Sequence, residues 1–439
     1  MIDEPSILKE FRVTLETVTP LFLGGAETRG IPNPLEAYQR NNRTYYRATN
    51  VVGGNPEIRP PALRGALRYW LRALAGESTG GDVKSLHKIE SSVFGSAASE
   101  RGSASTVRVL VREENLQDAR LFAKQPIEYV DKNGSRIPQP TGRDYLYWSM
   151  AESGGSNRDK YQPPKKYFPE GTSFQVILSA IPFADTALQK AIASLWVMVH
   201  FGGVGSRSRR TAGSLSAASP AEFSGLNFQL QSRTPTKIAE ELYEGLKNAQ
   251  QLLALSSKPI NTIPFDMISL EYDVFQSWVL GPWDTSAQAV TAIGKSLRNF
   301  RTYREPDHSA VFQWLNGSSI STVERSIFGL PIPYKYSTRT KPEGVIQGKK
   351  DVIERRASPL WLKISKTGGN TPKFVGVATL FKSAFLPKGE KIVLTGVKNG
   401  GRPQPISPPF DFSLIEEWVE TMKTDSENFK QVVEVVAND

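Results

Sequence analysis

No cysteine occurs in the 439 residues, which excludes disulfides, zinc–thiolate sites and thiol nucleophiles from this chain. Histidine is almost as scarce. His87, His200 and His308 stand far apart in the sequence, so no multi-histidine metal site is expected, and no cofactor is implied. No apolar run reaches transmembrane length, and the opening MIDEPSILKE has neither the basic nor the apolar region of a signal peptide. A cytoplasmic protein with no membrane partner is the expectation. Acidic residues are in deficit, 44 against 54 lysines and arginines, which leaves a net charge of +10. That excess favours an acidic partner, and nucleic acid fits better than a membrane surface. Apolar residues are not lacking: a 39% hydrophobic share with 10% aromatics supports packed domains, and the length suggests two or three of them.

The chain is organised around residues 196–215, WVMVHFGGVGSRSRRTAGSL. An apolar helix is expected to end at His200 or Phe201. Gly202, Gly203 and Gly205 follow, then Arg207, Arg209 and Arg210, with Gly213 closing the turn. Glycines let another backbone approach closely. Successive amides in such a loop can form an anion-binding concavity, and arginines add bidentate phosphate contacts. The loop therefore reads as a grip on a phosphate-bearing chain. The competing reading is a glycine-terminated helix followed by a solvated basic turn.

Taken in order, Phe11, Val13 and Leu15 alternate on one face of a half-buried strand. A tight apolar corner, Leu21-Phe22-Leu23-Gly24-Gly25, follows Thr19-Pro20. PALRGALRYWLRALAG is a helix with proline in its first turn and Gly76 at its far cap. Leu63, Leu67, Trp70, Leu71 and Leu74 form its buried stripe. Arg64, Arg68 and Arg72 form one column beside it, and mutually repelling cations on one face call for an anion. Residues 90–105 read as a Ser/Gly/Ala-rich loop anchored by Val93 and Phe94, and 107–111 as a strand. Residues 138–171 read as a long exposed excursion, and 174–180 as a strand. Asp185 is expected to cap the helix that delivers the glycine-arginine loop. Strand, helix, strands and helix are the content of a ferredoxin-like α+β domain.

Three regions are expected: an N-terminal domain at 1–222, a helical connector at 223–267 with its helix at 238–255, and a C-terminal domain at 268–439. In the last, 284–303 is an amphipathic helix with Val290, Ile293, Leu297 and Phe300 inward and Lys295 and Arg298 off that stripe. Its Gly294-Lys295-Ser296 imitates the end of a phosphate loop. Ala289 occupies the position needing the first glycine, and the helical context argues against nucleotide hydrolysis. A rigid FGLPIPY corner, a basic stretch at 334–350, strands near 358–364, 374–381 and 392–394, and a terminal helix striped by Leu414, Ile415, Trp418 and Met422 complete the reading.

The ordered set TPLFLGG, LRGALRYW and the glycine-arginine loop, with Arg301, FGLPIPY and RRASPLWLKI downstream, resembles the RAMP superfamily of CRISPR systems. More narrowly, it resembles subunit one of the type III-B (Cmr) effector complex. The resemblance implies an α+β fold of two ferredoxin-like (RRM-like) RAMP domains with helical and loop insertions. It also implies a non-catalytic RNA-binding subunit with guide RNA, target RNA and other Cmr subunits as partners. The subunit would sit near the guide's 3′ end and help capture complementary target RNA for antiviral defence. The implied RNA contacts are Gly202, Gly203, Gly205, Arg207, Arg209 and Arg210, supported by Arg64 and Arg68. Thr211-Ala212 departs from the family's usual glycine and aromatic.

The basic-Gly-aromatic-Gly-aromatic stacking motif of RRM sheets is absent, so base reading is expected away from the sheet face. Two other readings stand beside the binder. One is a metal-independent RAMP endoribonuclease using His200 as base for the 2′-hydroxyl; the other is an architectural subunit whose arginines meet acidic proteins. The pairs Glu113-Glu114 and Glu416-Glu417 read as solvated surface.

Overall fold

The computed structural model describes residues 9–24, 30–97, 102–132, 135–260, 263–302, 304–336, 343–348, 354–398, 402–409 and 411–436. Gly25, Tyr303, residues 98–101, most of MIDEPSILKE, and 337–342 and 349–350 of the basic stretch lie outside the described residues.

The first unit runs β1 (Lys9–Thr17), α1 (Pro60–Ala75), α2 (Val83–Phe94), β2 (Val107–Asn115), α3 (Gly142–Tyr147), β3 (Ser173–Ala180), α4 (Asp185–Phe201) and β4 (Leu215–Ala217). Its antiparallel sheet has the order β4-β1-β3-β2. With α1 crossing from β1 to β2 and α4 from β3 to β4, this is the split βαβ arrangement expected of a ferredoxin-like domain. Phe11, Val13 and Leu15 point into the core with Leu63, Leu67, Trp70, Leu71 and Leu74 of α1. Each such fully buried side chain contributes about 1.5–3 kcal/mol. The opposite sheet face presents Arg12, Arg108, Leu110 and Arg112 to solvent, and no aromatic stands among its outward positions on β1, β2 and β3.

α5 (Pro235–Leu252) follows and packs on α4. Gly245 lies against the Trp196 indole, where any side chain would collide. The second unit comprises β5 (Phe275–Trp283), α6 (Ser286–Arg301), α7 (Asp307–Leu315), β6 (Ile332–Lys335), β7 (Glu343–Gly348), β8 (Leu360–Lys366), β9 (Phe374–Phe381), β10 (Ile392–Lys398), β11 (Gln404–Ile406), α8 (Ser413–Thr424) and β12 (Gln431–Glu434). Its main sheet, β12-β5-β9-β8, repeats the order of the first. The sheet β6-β7-β10-β11 is an insertion. One face of the main sheet joins the core of the first unit through Trp361, whose ring packs at a 57° tilt with its centroid 4.9 Å from that of Trp70. Its other face packs on α6 and α8, where Val290, Ile293, Leu297, Leu414, Ile415, Trp418 and Met422 are buried.

Four expectations need correction. Residues 83–94 are helical, so most of the loop expected from residue 90 starts later; Asp82 caps this helix through the amides of Lys84 and Ser85. Residues 138–171 are not simply an exposed excursion. Gly142 and Gly294 bring α3 against α6 at a spacing no side chain would tolerate, and Leu146, Tyr147 and Met150 are buried there. Arg298, expected off the inward stripe, is buried at 1% exposure, donating to Glu128 at 3.0 Å and to the Pro140 carbonyl. Asp185 is the first residue of α4 rather than its cap, and pairs with Lys9 at 2.7 Å.

Candidate nucleic-acid interface

α4 ends where Gly202 admits the Trp70 indole, which any side chain would strike. The chain then turns through Gly205 (φ +84) and through two non-glycine residues in the same left-handed region, Arg207 (φ 65) and Thr211 (φ 69). Such a conformation costs a non-glycine residue roughly 1–2 kcal/mol and persists only where the surroundings enforce it. Here backbone bonds enforce it. Val204 donates to Gly213 (3.1 Å), Ser206 to Phe22 (2.9 Å), Gly213 to Pro20 (2.9 Å), and Thr211 to Leu362 (2.8 Å). Thr211 also shares a 2.7 Å hydrogen bond with the Tyr147 hydroxyl. The TPLFLGG corner, the loop and the edge strand β8 are thereby knitted together. Of the loop's amides, those at 202, 204, 206, 210, 211 and 213 are committed to protein carbonyls.

The arginine side chains do present charge, and they part company. Arg209 turns toward the seam between the units. It donates to Asp266 at 3.2 Å and to the Ser358 carbonyl, with its guanidinium 4.5 Å from the Trp361 ring centroid. Asp266 also accepts from Tyr69 and Ser383 at 2.6 Å each. Both terminal nitrogens of Arg209 are therefore engaged by the protein.

Arg207 and Arg210 turn the other way, toward α3, the end of α6 and residues 324–328. Arg210 donates to the Phe328 carbonyl at 3.2 Å. Arg301 donates to the Tyr145 hydroxyl at 3.1 Å and stacks 5.0 Å from the Phe328 ring. Arg325 donates to the Arg301 carbonyl at 2.6 Å and stacks 4.4 Å from Tyr334. None of these four arginines has a carboxylate within ion-pair distance among the described residues. Buried nitrogens in every one of them, Nε and Nη2 of Arg207, Nη1 of Arg210, Nε of Arg301 and Nε of Arg325, have no hydrogen-bond partner there. Burial, reinforced by the charge of Arg301, pushes the Arg210 guanidinium down to about 9 and Arg207 down to about 10. Asp307, a buried acid nearby, accepts the backbone amides of Glu324 (3.1 Å) and Arg325 (2.6 Å).

An unsatisfied buried donor costs about 1–3 kcal/mol, more when charged. A set of them held by neighbouring cations is a site that an anion would stabilise. Trp148 stands at its margin, 63% exposed, with the Arg207 guanidinium 5.3 Å from its ring.

The arginine column on α1 resolves differently. Its anion is internal: Glu90 of α2 accepts from Arg68 at 2.7 Å and Arg72 at 2.8 Å, and Arg68 also donates to the carbonyls of Phe94 and Gly95. Arg64 is exposed. The structure thus brings Arg207 and Arg210 together with Arg301 and leaves Arg64 and Arg68 on α1. Arg325, Tyr145 and Trp148 are additions; nothing in the local pattern STVERSIFG or YLYWSM marks them, because only the packing of α3 on α6 assembles them. His200 is 2% exposed. Its Nε2 lies 3.0 Å from the Asn227 carbonyl, and burial together with the Lys363 charge pushes it down to about 3. It is a neutral core residue that no substrate hydroxyl reaches.

Residues 14–216 match the RAMP superfamily. The CRISPR system Cmr subunit Cmr1-1 of Pyrococcus furiosus is 29% identical over 335 residues, 76% of this chain and 83% of that protein. Subunit Cmr1-2 of the same organism is 29% identical over 204 residues, 46% of this chain and 91% of that protein. The crystal structure of Cmr1 from Pyrococcus furiosus in its apo form shares the fold, with a TM-score of 0.54 at 19% identity over 98% of this chain and 99% of that one.

Proposed function

We propose that this chain, whose residues 14–216 match the RAMP superfamily, is a non-catalytic RNA-binding subunit of a type III-B (Cmr) CRISPR effector complex. It holds guide RNA near its 3′ end and helps capture complementary target RNA, in company with the other Cmr subunits in the cytoplasm. No helix among the described residues is long and apolar enough to cross a membrane.

The observation that carries the reading is the quartet Arg207, Arg210, Arg301 and Arg325, gathered around buried donors with no acceptor. A phosphodiester supplies the missing acceptors and the missing charge, and arginine forks suit it. The quartet lies where the glycine-arginine loop meets the second unit, so RNA would be gripped across the junction. Arg209 and Arg68 serve as ties that hold the loop and α1 in place. A grip on phosphates needs no base identity, which suits a subunit that must accept guides of any sequence.

The test is single-stranded RNA binding by the full chain, with RNA integrity followed on a denaturing gel. Binding with intact RNA, unchanged in His200→Gln, is the expected result. Absence of binding, or cleavage lost in His200→Gln, would overturn it.

A further inference from the structure

Trp148 is hard to explain as a packing residue. It opens a single 3₁₀ turn, Trp148–Met150, directly after α3. Tyr147 and Met150 on either side of it are buried, yet the indole is 63% exposed. Exposing an indole to water forfeits the burial that a tryptophan usually gains in a core. This one is not at a random point of the surface. Its ring faces Arg207, the cation with two buried and unpartnered nitrogens, and the segment carrying it is clamped in place because α3 lies on α6 through Gly142 and Gly294. Phe328 and Tyr334, the rings under Arg301 and Arg325, are only 2% and 3% exposed.

We propose that Trp148 and Arg207 form a clamp for one unpaired nucleotide, its base stacked on the exposed indole and its phosphate on the guanidinium. This rests on the RNA-binding reading above and deepens it. The quartet recognises only backbone charge, which duplex and single strand both carry. An exposed aromatic face adds a requirement for an unstacked base, which a duplex does not offer. The solvent face of the first sheet has no aromatic to perform that task, so the clamp provides it at the edge of the glycine-arginine loop. Any base satisfies the indole, and the preference is for single strands rather than for sequence.

The experiment uses the full chain and a fluorescein-labelled oligoribonucleotide of mixed sequence, alone or annealed to its complement. Trp148→Ala and Trp148→Phe are compared with wild type and with Arg207→Ala across a salt series. Loss of one stacked base weakens binding by about tenfold. Trp148→Ala is expected to show that loss for the single strand only, with an unchanged salt slope because no phosphate partner is removed. Trp148→Phe is expected to restore most of it, and a scan of abasic positions should find one whose effect disappears in Trp148→Ala. Thermal unfolding of Trp148→Ala checks that the fold is intact. Equal affinity of Trp148→Ala and wild type, with Arg207→Ala still impaired, would overturn the clamp and leave the RNA-binding reading standing. A flatter salt slope in Trp148→Ala would also overturn it, by showing that the indole merely positions Arg207. Failure of wild type to bind either RNA would remove the reading beneath it.

Discussion

Three side chains share the heart of the seam between the two units, and each carries charge differently. Lys363 is fully buried, its Nζ donating to the carbonyls of Leu215 at 2.6 Å and Ile364 at 3.2 Å. Burial pushes it down to about 7, whereas an unfolded lysine titrates near 10.4. Between those values the unfolded chain binds a proton that the folded chain does not. Stability from this residue is therefore present above about pH 10, falls as pH drops toward 7, and is level below that. Lys363→Met is expected to raise stability near neutrality and to flatten the pH dependence by up to about 1.4 kcal/mol per pH unit between about pH 7 and 10. Urea unfolding across that range measures it, and an unaltered slope would count against the assignment. His200, beside it, stays neutral through the same range. Arg209 is met by the Asp266 carboxylate at 3.2 Å and by the rings of Tyr69 and Trp361.

At the scale of elements, the glycine-arginine loop is legible in the sequence and its side-chain directions are not. Gly202 ending an apolar helix is a local signal. The split of Arg209 from Arg207 and Arg210 is not, because the left-handed Arg207 and the 3₁₀ turn Ser208–Arg210 send neighbouring residues to opposite sides. The arginine column of α1 is equally legible as a column. Its anion sits on α2, a helix hidden behind the Ser/Gly/Ala composition, although Asp82 followed by Leu86, Glu90, Val93 and Phe94 marks it at helical spacing. The same division makes a prediction. Arg209→Ala breaks a tie from the loop to Asp266 and the Ser358 carbonyl, and is expected to cost about 2–4 kcal/mol in urea unfolding while leaving the salt slope of RNA binding unchanged. A flattened slope with unaltered stability would make Arg209 an RNA contact instead.

Over the whole molecule, two sheets of identical strand order lie with β8 of the second docked against residues 211–216 of the first. Ser214 and Ser216 accept the amides of Ile364 and Lys366 at 3.1 Å each. The first unit is readable from alternation in β1 and the stripes of α1 and α4, all local periodicities. The order of the second sheet is harder to read, since β6, β7, β10 and β11 interrupt its strands with a sheet of their own. Least legible is the quartet itself. Arg207 and Arg210 come from one unit, Arg301 and Arg325 from the other, and only docking gives them a shared, partly desolvated space. The docked arrangement therefore makes a site that neither unit holds alone. The most direct test of that claim is the salt dependence of single-stranded RNA binding, wild type against Arg207→Ala/Arg210→Ala and against Arg301→Ala/Arg325→Ala. Both double variants should bind more weakly, each with a slope reduced by about 0.7 for every phosphate left without its arginine. An unchanged slope in either pair would contradict a grip built across the junction.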